Sequence, residues 1–140
     1  MKVVSLFEPW ASLIKEGVKK IETRSWATKY RGEFYIHASL KTLNKSDYRK
    51  YEAQLTLLQN KEFKYGYIIA KCKLVDCKYM DKELIAEVKK DYNEYICGGY
   101  SVGRYAWILD EIEMLETPIK AKGQLGIWNY NPQPKEKSRI

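Results

Sequence analysis

The arrangement of apolar residues along the chain is the feature that most constrains its fold. Strand patterns and helix signals follow one another without the regular alternation that builds a doubly wound sheet. The strand patterns fall at residues 1–6, 20–26, 33–38, 65–75 and 105–115, with a short aromatic segment at 124–130. Several alternating strands in so short a chain predict an α+β fold, a small, mixed and partly closed β-barrel flanked by helices.

Three stretches of the sequence carry helix signals. The first starts near Pro9, a residue suited to a first helical turn, and stops at Gly17. The second and third start at Asn44 and Asp81, whose side chains can cap the exposed amides of a helix. The second helix is predicted to run to about residue 58, with an inward face formed by Tyr48, Tyr51, Leu55 and Leu58.

Two strand patterns lie close together in the sequence, at 20–26 and 33–38, with a turn at Tyr30-Arg31-Gly32 between them. This proximity predicts an antiparallel hairpin with a loop of several residues. Alternation places His37 on the more polar face of the second strand. On the first strand, one face carries Glu22, Arg24 and Trp26.

The chain has 140 residues, which suits one domain with one core. We assign that domain to residues 1–130 and expect residues 131–140, with two prolines and four charges, to form a flexible tail. No apolar run approaches the roughly 18–20 residues that cross a bilayer, so no membrane partner is expected. We expect the protein in the cytoplasm, or in the nucleus if its source is eukaryotic.

Cysteine and histidine usage argues against a disulfide framework and a metal centre. There are three cysteines, Cys72, Cys77 and Cys97, and none forms a Cys-x-x-Cys pair. With His37 as the single histidine, a zinc site would need an unusual ligand set. We therefore expect reduced thiols packed as small apolar groups, no metal and no cofactor.

The formal net charge is +7 at neutral pH, the balance expected of a partner for phosphates. Many soluble proteins carry such a charge without binding nucleic acid, so sequence motifs are needed to indicate whether this chain binds phosphates. The informative stretch is Gly17-Val18-Lys19-Lys20-Ile21-Glu22-Thr23-Arg24. Side chains two apart on a strand share a face and lie about 7 Å apart, so Glu22 and Arg24 could bracket a polar ligand with Lys19 leaning towards them. A plain surface ion pair would explain the same spacing.

The same segment matches the G-x-K-x-x-E-x-R signature of the ASCH (activating signal cointegrator homology) family, which the chain resembles over most of residues 1–130. The central part, about residues 42–100, carries little of the signature. Further matches are the opening helix Glu8-Pro9-Trp10-Ala11-Ser12-Leu13-Ile14, the segments Tyr30-Arg31-Gly32 and Ile36-His37-Ala38-Ser39, and the closing strands around Gly103-Arg104-Tyr105-Ala106-Trp107-Ile108 and 118–128.

The resemblance implies a β-barrel similar to that of PUA (pseudouridine synthase and archaeosine transglycosylase) domains, with a cleft over which Lys19, Glu22 and Arg24 gather. Relatives are linked to RNA or DNA binding, some are metal-independent ribonucleases, and a shorter branch hydrolyses the amide of acylated cytidines. The expected partner is RNA, another single-stranded nucleic acid, or a nucleotide-like small molecule. A purely structural or protein-interaction role is a further alternative.

In the binding interpretation, basic side chains form a rim and aromatic rings supply stacking faces. The nucleic-acid-binding candidates are Lys19, Arg24, Trp26, Tyr30, Arg31, His37, Lys41 and Arg104, and the rim and stacking faces could extend to Lys29, Tyr35, Lys45, Arg49 and Lys50. The glycine-rich loop Gly98-Gly99-Tyr100-Ser101-Val102-Gly103 lacks the ending of a phosphate loop, although its amides and Arg104 could bind one phosphate.

In the enzymatic alternatives, the catalytic candidates are Lys19, Glu22 and Arg24. As a ribonuclease, Glu22 would be the general base on a 2′-hydroxyl, and the two cations would stabilise charge on phosphorus. The sequence leaves open whether Glu22 is a base or only holds Arg24 in place. The amidohydrolase branch has a threonine nucleophile where Glu22 stands, and alternation turns Thr23 to the opposite face, so the covalent route is lost. A glutamate could still activate water directly, which keeps hydrolysis of a modified cytidine as an alternative.

Overall fold

The structure is a computed structural model that describes residues 1–132 of the chain. Six strands form one sheet, and five short helices flank it. The strands are β1 (Lys2–Leu6), β2 (Ile21–Arg24), β3 (Gly32–Ala38), β4 (Tyr67–Tyr79), β5 (Tyr105–Lys120) and β6 (Ile127–Asn129). The helices are α1 (Trp10–Lys15), α2 (Lys45–Lys50), α3 (Glu52–Leu55), α4 (Lys82–Lys89) and α5 (Tyr92–Ile96). Of the predicted flexible tail, residues 133–140 lie outside the described part of the chain.

The sheet has the strand order β2-β5-β4-β3-β1-β6. Strands β1 and β3 are parallel, and the other neighbouring pairs are antiparallel. The predicted α+β class and the small, mixed, partly closed barrel are therefore confirmed. Because β2 and β6 are the two edges, the curled sheet is open between them, and this opening positions the site described below.

The predicted hairpin between residues 20–26 and 33–38 is wrong. Strand β2 pairs with β5, where Glu22 lies opposite Trp107, whereas β3 lies between β1 and β4. Trp26 follows the end of β2 and does not belong to the strand. Local alternation assigns side chains to faces, but the partner of a strand is set by contacts that are distant in sequence.

Strands β4 and β5 extend beyond their predicted ends, to Tyr79 and Lys120. The extensions are mostly polar, so an apolar pattern could not reveal them. Exposed cross-strand ion pairs lie in the predicted parts of the strands. Lys73 Nζ lies 2.8 Å from a Glu111 oxygen, and Lys71 Nζ lies 3.3 Å from a Glu33 oxygen.

The predicted helix caps are confirmed at Asn44 and Asp81. Asn44 forms a reciprocal capping box with Asp47, and the Asp81 side chain accepts a hydrogen bond from the Leu84 amide. The predicted continuous helix from residue 44 to 58 is instead two helices, because Tyr51 leaves helical geometry between α2 and α3 (φ −105°, ψ 22°). Its expected inward face is therefore incomplete, and the side chain of Tyr48 is exposed.

The main core lies between the sheet and α1. Phe34, Ile36, Leu74 and Trp107 are fully buried, and Ile14 of α1 packs onto the same cluster. Burial of each such side chain stabilises the fold by about 1.5–3 kcal/mol. The packing of α1 fixes where the chain enters β2, and β2 carries the candidate site.

All three cysteines are free, and Cys72 and Cys97 are buried as predicted, while Cys77 is half-buried. Burial raises the pKa of the Cys72 thiol to about 12 and that of Cys97 to about 11. Neither is therefore a thiolate nucleophile at neutral pH. Within residues 1–132, none of the helices combines the length and the apolar character of a membrane span.

Candidate functional site

A cleft of about 960 Å³ opens where the curled sheet brings β2 opposite β1. Its walls come from the ends of β1 and β3, from β2, from residues 97–99 and from the connection between β5 and β6 at residues 122–126. Seven of the predicted site residues line it, namely Lys19, Glu22, Arg24, Trp26, His37, Lys41 and Arg104.

The floor of the cleft is formed by three charged side chains that contact one another. Glu22, 6% exposed, lies between two cations: its Oε1 is 3.6 Å from Lys19 Nζ, and its Oε2 accepts a hydrogen bond from Arg24 Nε at 2.9 Å. Lys19 is 1% exposed, and its ammonium also donates to the carbonyl oxygen of Cys97 at 2.5 Å. Each charge thus has a partner, as buried charges require. Removal of Glu22 would leave the buried Lys19 ammonium without its counter-charge, a loss of about 3–5 kcal/mol for a buried pair.

Arg24 extends this chain across the opening of the sheet. Its side chain, 23% exposed, donates from Nη2 to the Ser5 carbonyl oxygen on β1 at 3.4 Å. The guanidinium also lies 5.8 Å from the ring centre of Trp107. One edge strand is therefore held to the opposite side of the cleft by a residue that also lines the open space.

The glycine-rich loop that follows α5 forms one wall and is tied to β2. The Gly99 amide donates to Thr23 Oγ1 at 2.9 Å, and Arg104 donates from Nε to the Gly99 carbonyl at 2.9 Å and from Nη2 to the Thr23 carbonyl at 3.3 Å. Arg104 therefore lines the cleft while much of its hydrogen-bonding capacity holds the loop. Thr23 also lines the cleft, and its hydroxyl accepts the hydrogen bond from the loop.

Glu94 of α5 organises the entrance to β2, and sequence reasoning missed it. It is 6% exposed, and its two oxygens accept from the amides of Lys20 at 2.7 Å and Ile21 at 3.3 Å. Burial raises the pKa of this carboxyl, while the two amides and the nearby Lys19 charge oppose that shift. The only local signal is the cap from Asp91 to the Glu94 amide, which marks a helix start but not its partner strand.

His37 lies in the wall of the cleft and is fully buried, although alternation places it on the face of β3 opposite Phe34 and Ile36. That face is covered here by Ala121 and Gly123 and by the ring of Trp128, so the predicted polar face is not exposed at this position. Nε2 donates to the Ala121 carbonyl at 2.7 Å, which leaves Nδ1 to accept from Ser5 Oγ at 2.9 Å. Burial lowers the pKa of His37, so the neutral ring is favoured.

The backbone at Gly123 lies close to the His37 ring and covers it. A Cβ at Gly123 would lie 2.9 Å from both His37 Cε1 and Ser5 Oγ, so only glycine fits there. Ser5 Oγ also accepts a hydrogen bond from Trp128 Nε1 at 3.1 Å. With both ring nitrogens satisfied and the ring covered, the geometry favours a structural role for His37 over acid–base chemistry.

The rim of the cleft is cationic and aromatic. Trp26 is 38% exposed and packs edge-on against Trp107, with ring centres 4.8 Å apart. Lys41 is exposed and lies 5.0 Å from the ring centre of Phe7, and Lys122, which sequence reasoning missed, is exposed on the β5–β6 connection. Among the described residues, the lining carries five basic side chains and one carboxylate.

Two of the predicted site residues, Tyr30 and Arg31, lie outside the cleft. Tyr30 packs against Phe34, and its hydroxyl donates to the Glu33 carbonyl. Arg31 donates to the Thr28 carbonyl at 3.0 Å and lies 3.7 Å from Asp76. The further rim and stacking candidates Lys29, Tyr35, Lys45, Arg49 and Lys50 do not line the cleft either.

The curled mixed sheet with a cleft at its open edge defines a PUA-like barrel of α+β class. The family model described as "ASCH domain" matches residues 4–119. The chain therefore belongs to the ASCH family, which is linked to RNA binding.

Two curated relatives and one solved structure are similar to this chain. It is 32% identical over 80 residues to activating signal cointegrator 1 from Homo sapiens and to the same protein from Mus musculus. The match covers 53% of this chain but only 14% of each relative, so the chain spans a small part of their length. The crystal structure of ASCH from Zymomonas mobilis superposes with a TM-score of 0.52 at 16% identity, covering 85% of this chain and 72% of that one, and shows the shared fold.

Proposed function

We propose that the cleft binds RNA, or another single-stranded nucleic acid, through phosphates at its basic rim and a nucleotide above its charged floor. The observation that carries the proposal is the charge of the lining, in which Lys19, Arg24, Lys41, Arg104 and Lys122 outnumber one carboxylate within residues 1–132. A concave surface with one sign of charge concentrates an anionic ligand and raises its association rate. Membership of the ASCH family supports the same conclusion.

The contacts of Glu22 favour binding over cleavage. Its two oxygens face Lys19 and Arg24, so the carboxylate has little freedom to abstract a proton. A metal-independent ribonuclease remains the second candidate, because the two cations beside Glu22 are the groups that would stabilise a charged phosphorus centre. Hydrolysis of an acylated cytidine has less support, since Glu22 replaces the nucleophilic threonine and the hydroxyl of Thr23 is engaged by Gly99.

Binding is tested by fluorescence anisotropy of a labelled single-stranded RNA across a salt series. If the rim contacts phosphates, the log–log slope should be about −0.7 per phosphate contacted. Lys41→Ala and Lys122→Ala should each weaken binding and remove about one such unit of slope. Lys45→Ala is the matched control, since Lys45 is equally exposed on α2 but does not line the cleft. Equal loss in all three variants would contradict the proposed site.

Cleavage is tested on the same RNA by denaturing gel in the presence of a chelator. The proposal expects intact RNA with wild type and with Glu22→Gln, which keeps the shape of the side chain. Cleavage by wild type that Glu22→Gln abolishes would replace the binding proposal by the ribonuclease one. Cleavage that survives the substitution would come from a contaminant.

A further inference from the structure

A second, much smaller pocket adjoins the mouth of the cleft. Its volume is about 50 Å³, and Phe7, Trp10 and Lys41 line both cavities. The lining of the small pocket includes three aromatic rings, two carboxylates and one lysine, namely Phe7, Trp10, Tyr51, Glu8, Asp47 and Lys41. We call this cavity the aromatic pocket.

The aromatic rings of this pocket attract positive charge. The ring centres of Trp10 and Tyr51 lie 5.1 Å apart and their planes meet at 73°, so the two rings form a corner, and the half-exposed Phe7 supplies a third ring. The face of an aromatic ring carries partial negative charge and attracts an ammonium group. Two such contacts are present: Lys41 Nζ lies 5.0 Å from the ring centre of Phe7, and Lys50 Nζ lies 5.4 Å from that of Tyr51.

The two carboxylates carry charge that is not compensated. Glu8 is 2% exposed and accepts hydrogen bonds from the Ser12 amide at 2.8 Å and the Ser12 hydroxyl at 2.6 Å, and Asp47 accepts from the Asn44 amide at 3.0 Å. Among the described residues, neither carboxylate forms a salt bridge, although buried charges usually have a partner of opposite sign. Burial raises the pKa of Glu8, while the Ser12 hydrogen bonds and the Lys15 charge oppose that shift. Helix capping therefore explains where these carboxylates lie but leaves their negative charge available to a cation.

The size of the pocket restricts the ligand. A single water needs about 10–15 Å³ of such space, so a pocket of about 50 Å³ accepts a group of about three to five heavy atoms. An anion would be repelled by the two carboxylates, and a neutral apolar group would leave their charge uncompensated. A methylated ammonium has this size, carries the required charge and presents methyl groups to the rings, which is why aromatic walls suit it.

We propose that the aromatic pocket binds a methylated ammonium group, with Phe7, Trp10 and Tyr51 around its methyl groups and Glu8 and Asp47 as its counter-charge. The group belongs either to a free small molecule or to the side chain of a methylated lysine, and the chemistry that is recognised is the same. The inference goes beyond the proposed nucleic-acid function and does not depend on it.

The test titrates the isotope-labelled protein with choline chloride at constant ionic strength and follows the amide resonances. Resonances from residues 7–10 and 41–51 should shift and saturate, in the millimolar range expected for a ligand of few atoms. Neohexyl alcohol, in which carbon replaces the nitrogen of choline, keeps the shape without the charge and should bind about fivefold or more weakly.

The source of the group is distinguished with a short peptide that contains one trimethyllysine, compared with the same peptide carrying unmodified lysine. Binding that requires the methyl groups and is tighter than that of choline assigns the pocket to a methylated protein. Binding no tighter than that of choline assigns it to a free small molecule.

Two substitutions remove contacts while keeping local packing. Phe7→Leu retains an apolar side chain at an exposed position, Glu8→Gln retains an acceptor for Ser12, and each should weaken choline binding by about fivefold. Asp47→Asn repeats the charge test if Glu8→Gln fails to fold. Tyr79→Leu is the matched control, because Tyr79 is 52% exposed and lines neither cavity.

Three results would overturn the proposal: no saturable shift with either choline or the trimethyllysine peptide, equal affinity for choline and neohexyl alcohol, or the same choline affinity in Phe7→Leu and Tyr79→Leu. Lys41→Ala separates this site from the RNA site. It is expected to weaken RNA binding, whereas loss of a positive charge beside the aromatic pocket should tighten choline binding. Weaker choline binding in Lys41→Ala would contradict the assigned ligand charge and leave the proposed RNA function standing.

Discussion

Replacing Glu94 by alanine would test whether a buried carboxylate from the middle of the chain builds the entrance to the site. The two oxygens of Glu94 accept from the amides of Lys20 at 2.7 Å and Ile21 at 3.3 Å. Strand β2 is an edge strand, and its neighbour in the sheet is β5. On the side away from β5 no strand of the described sheet is available to accept hydrogen bonds from the amides of Lys20 and Ile21. Alanine would leave both amides without their acceptor in a partly buried position.

The size of the effect follows from three contributions. A hydrogen bond to a charged group stabilises a protein by about 1.5–3 kcal/mol, and we assign this to the shorter bond. The longer bond to Ile21 is worth about 0.5–1.5 kcal/mol. Loss of the carboxylate also relieves its desolvation, the cause of its raised pKa. With that relief subtracted, we expect Glu94→Ala to lower the free energy of unfolding by about 2–3 kcal/mol.

The assay is urea unfolding near neutral pH, followed by tryptophan fluorescence. Glu87→Ala is the matched control, because Glu87 lies on α4 with 73% of its side chain exposed and pairs only with Lys90. The control should change stability by less than about 0.5 kcal/mol. If Glu94→Ala were as stable as Glu87→Ala, the two hydrogen bonds would not support β2, and our account of the entrance would fail.

Three further predictions concern other parts of the structure. Burial lowers the pKa of His37, the single histidine, so the stability that its neutral form contributes is present above about pH 6.5 and is lost as the pH falls through the lowered pKa. His37→Gln should lack that loss between about pH 7 and 5.5 in urea unfolding, and a wild-type slope in the variant would contradict the assignment. A Cβ at Gly98 would lie 2.7 Å from a Tyr100 ring carbon, so Gly98→Ala should lower the unfolding free energy by about 1–3 kcal/mol, whereas Gly99→Ala, with its nearest atom at 3.5 Å, should melt like wild type. Asn44→Ala should weaken α2 by about 0.5–2 kcal/mol, and since α2 has no buried residue, the change should appear as faster amide exchange in that helix with little change in overall stability.

Local patterns in the sequence predicted the parts of the site that one short segment contains. Residues 19–24 carry a turn and one strand, so alternation was enough to place Glu22 and Arg24 on a common face. The helix caps at Asn44 and Asp81 were also predictable, because a cap depends on a residue and an amide only three positions away.

The remaining parts depend on contacts between residues distant in sequence. Lysine is usually exposed, and the ammonium of the buried Lys19 is satisfied by the Cys97 carbonyl, 78 residues later, as well as by Glu22. Glu94 and Lys20 are separated by 74 residues, and no pattern in either segment indicates the other. The burial of His37 depends on cover from Ala121, which lies 84 residues later in the chain, and from Gly123, and no pattern near His37 indicates either residue.

The floor and one wall of the cleft have separate origins in the chain. Residues 19–24 supply the floor, whereas Glu94 and the loop at 97–99 come from the segment between β4 and β5. Because the Cys97 carbonyl accepts a hydrogen bond from the Lys19 ammonium, and Glu94 accepts from the amides at the entrance to β2, a change in that segment reaches the floor as well as the wall. A redesigned segment that alters which ligands enter the cleft must therefore keep these acceptors in place.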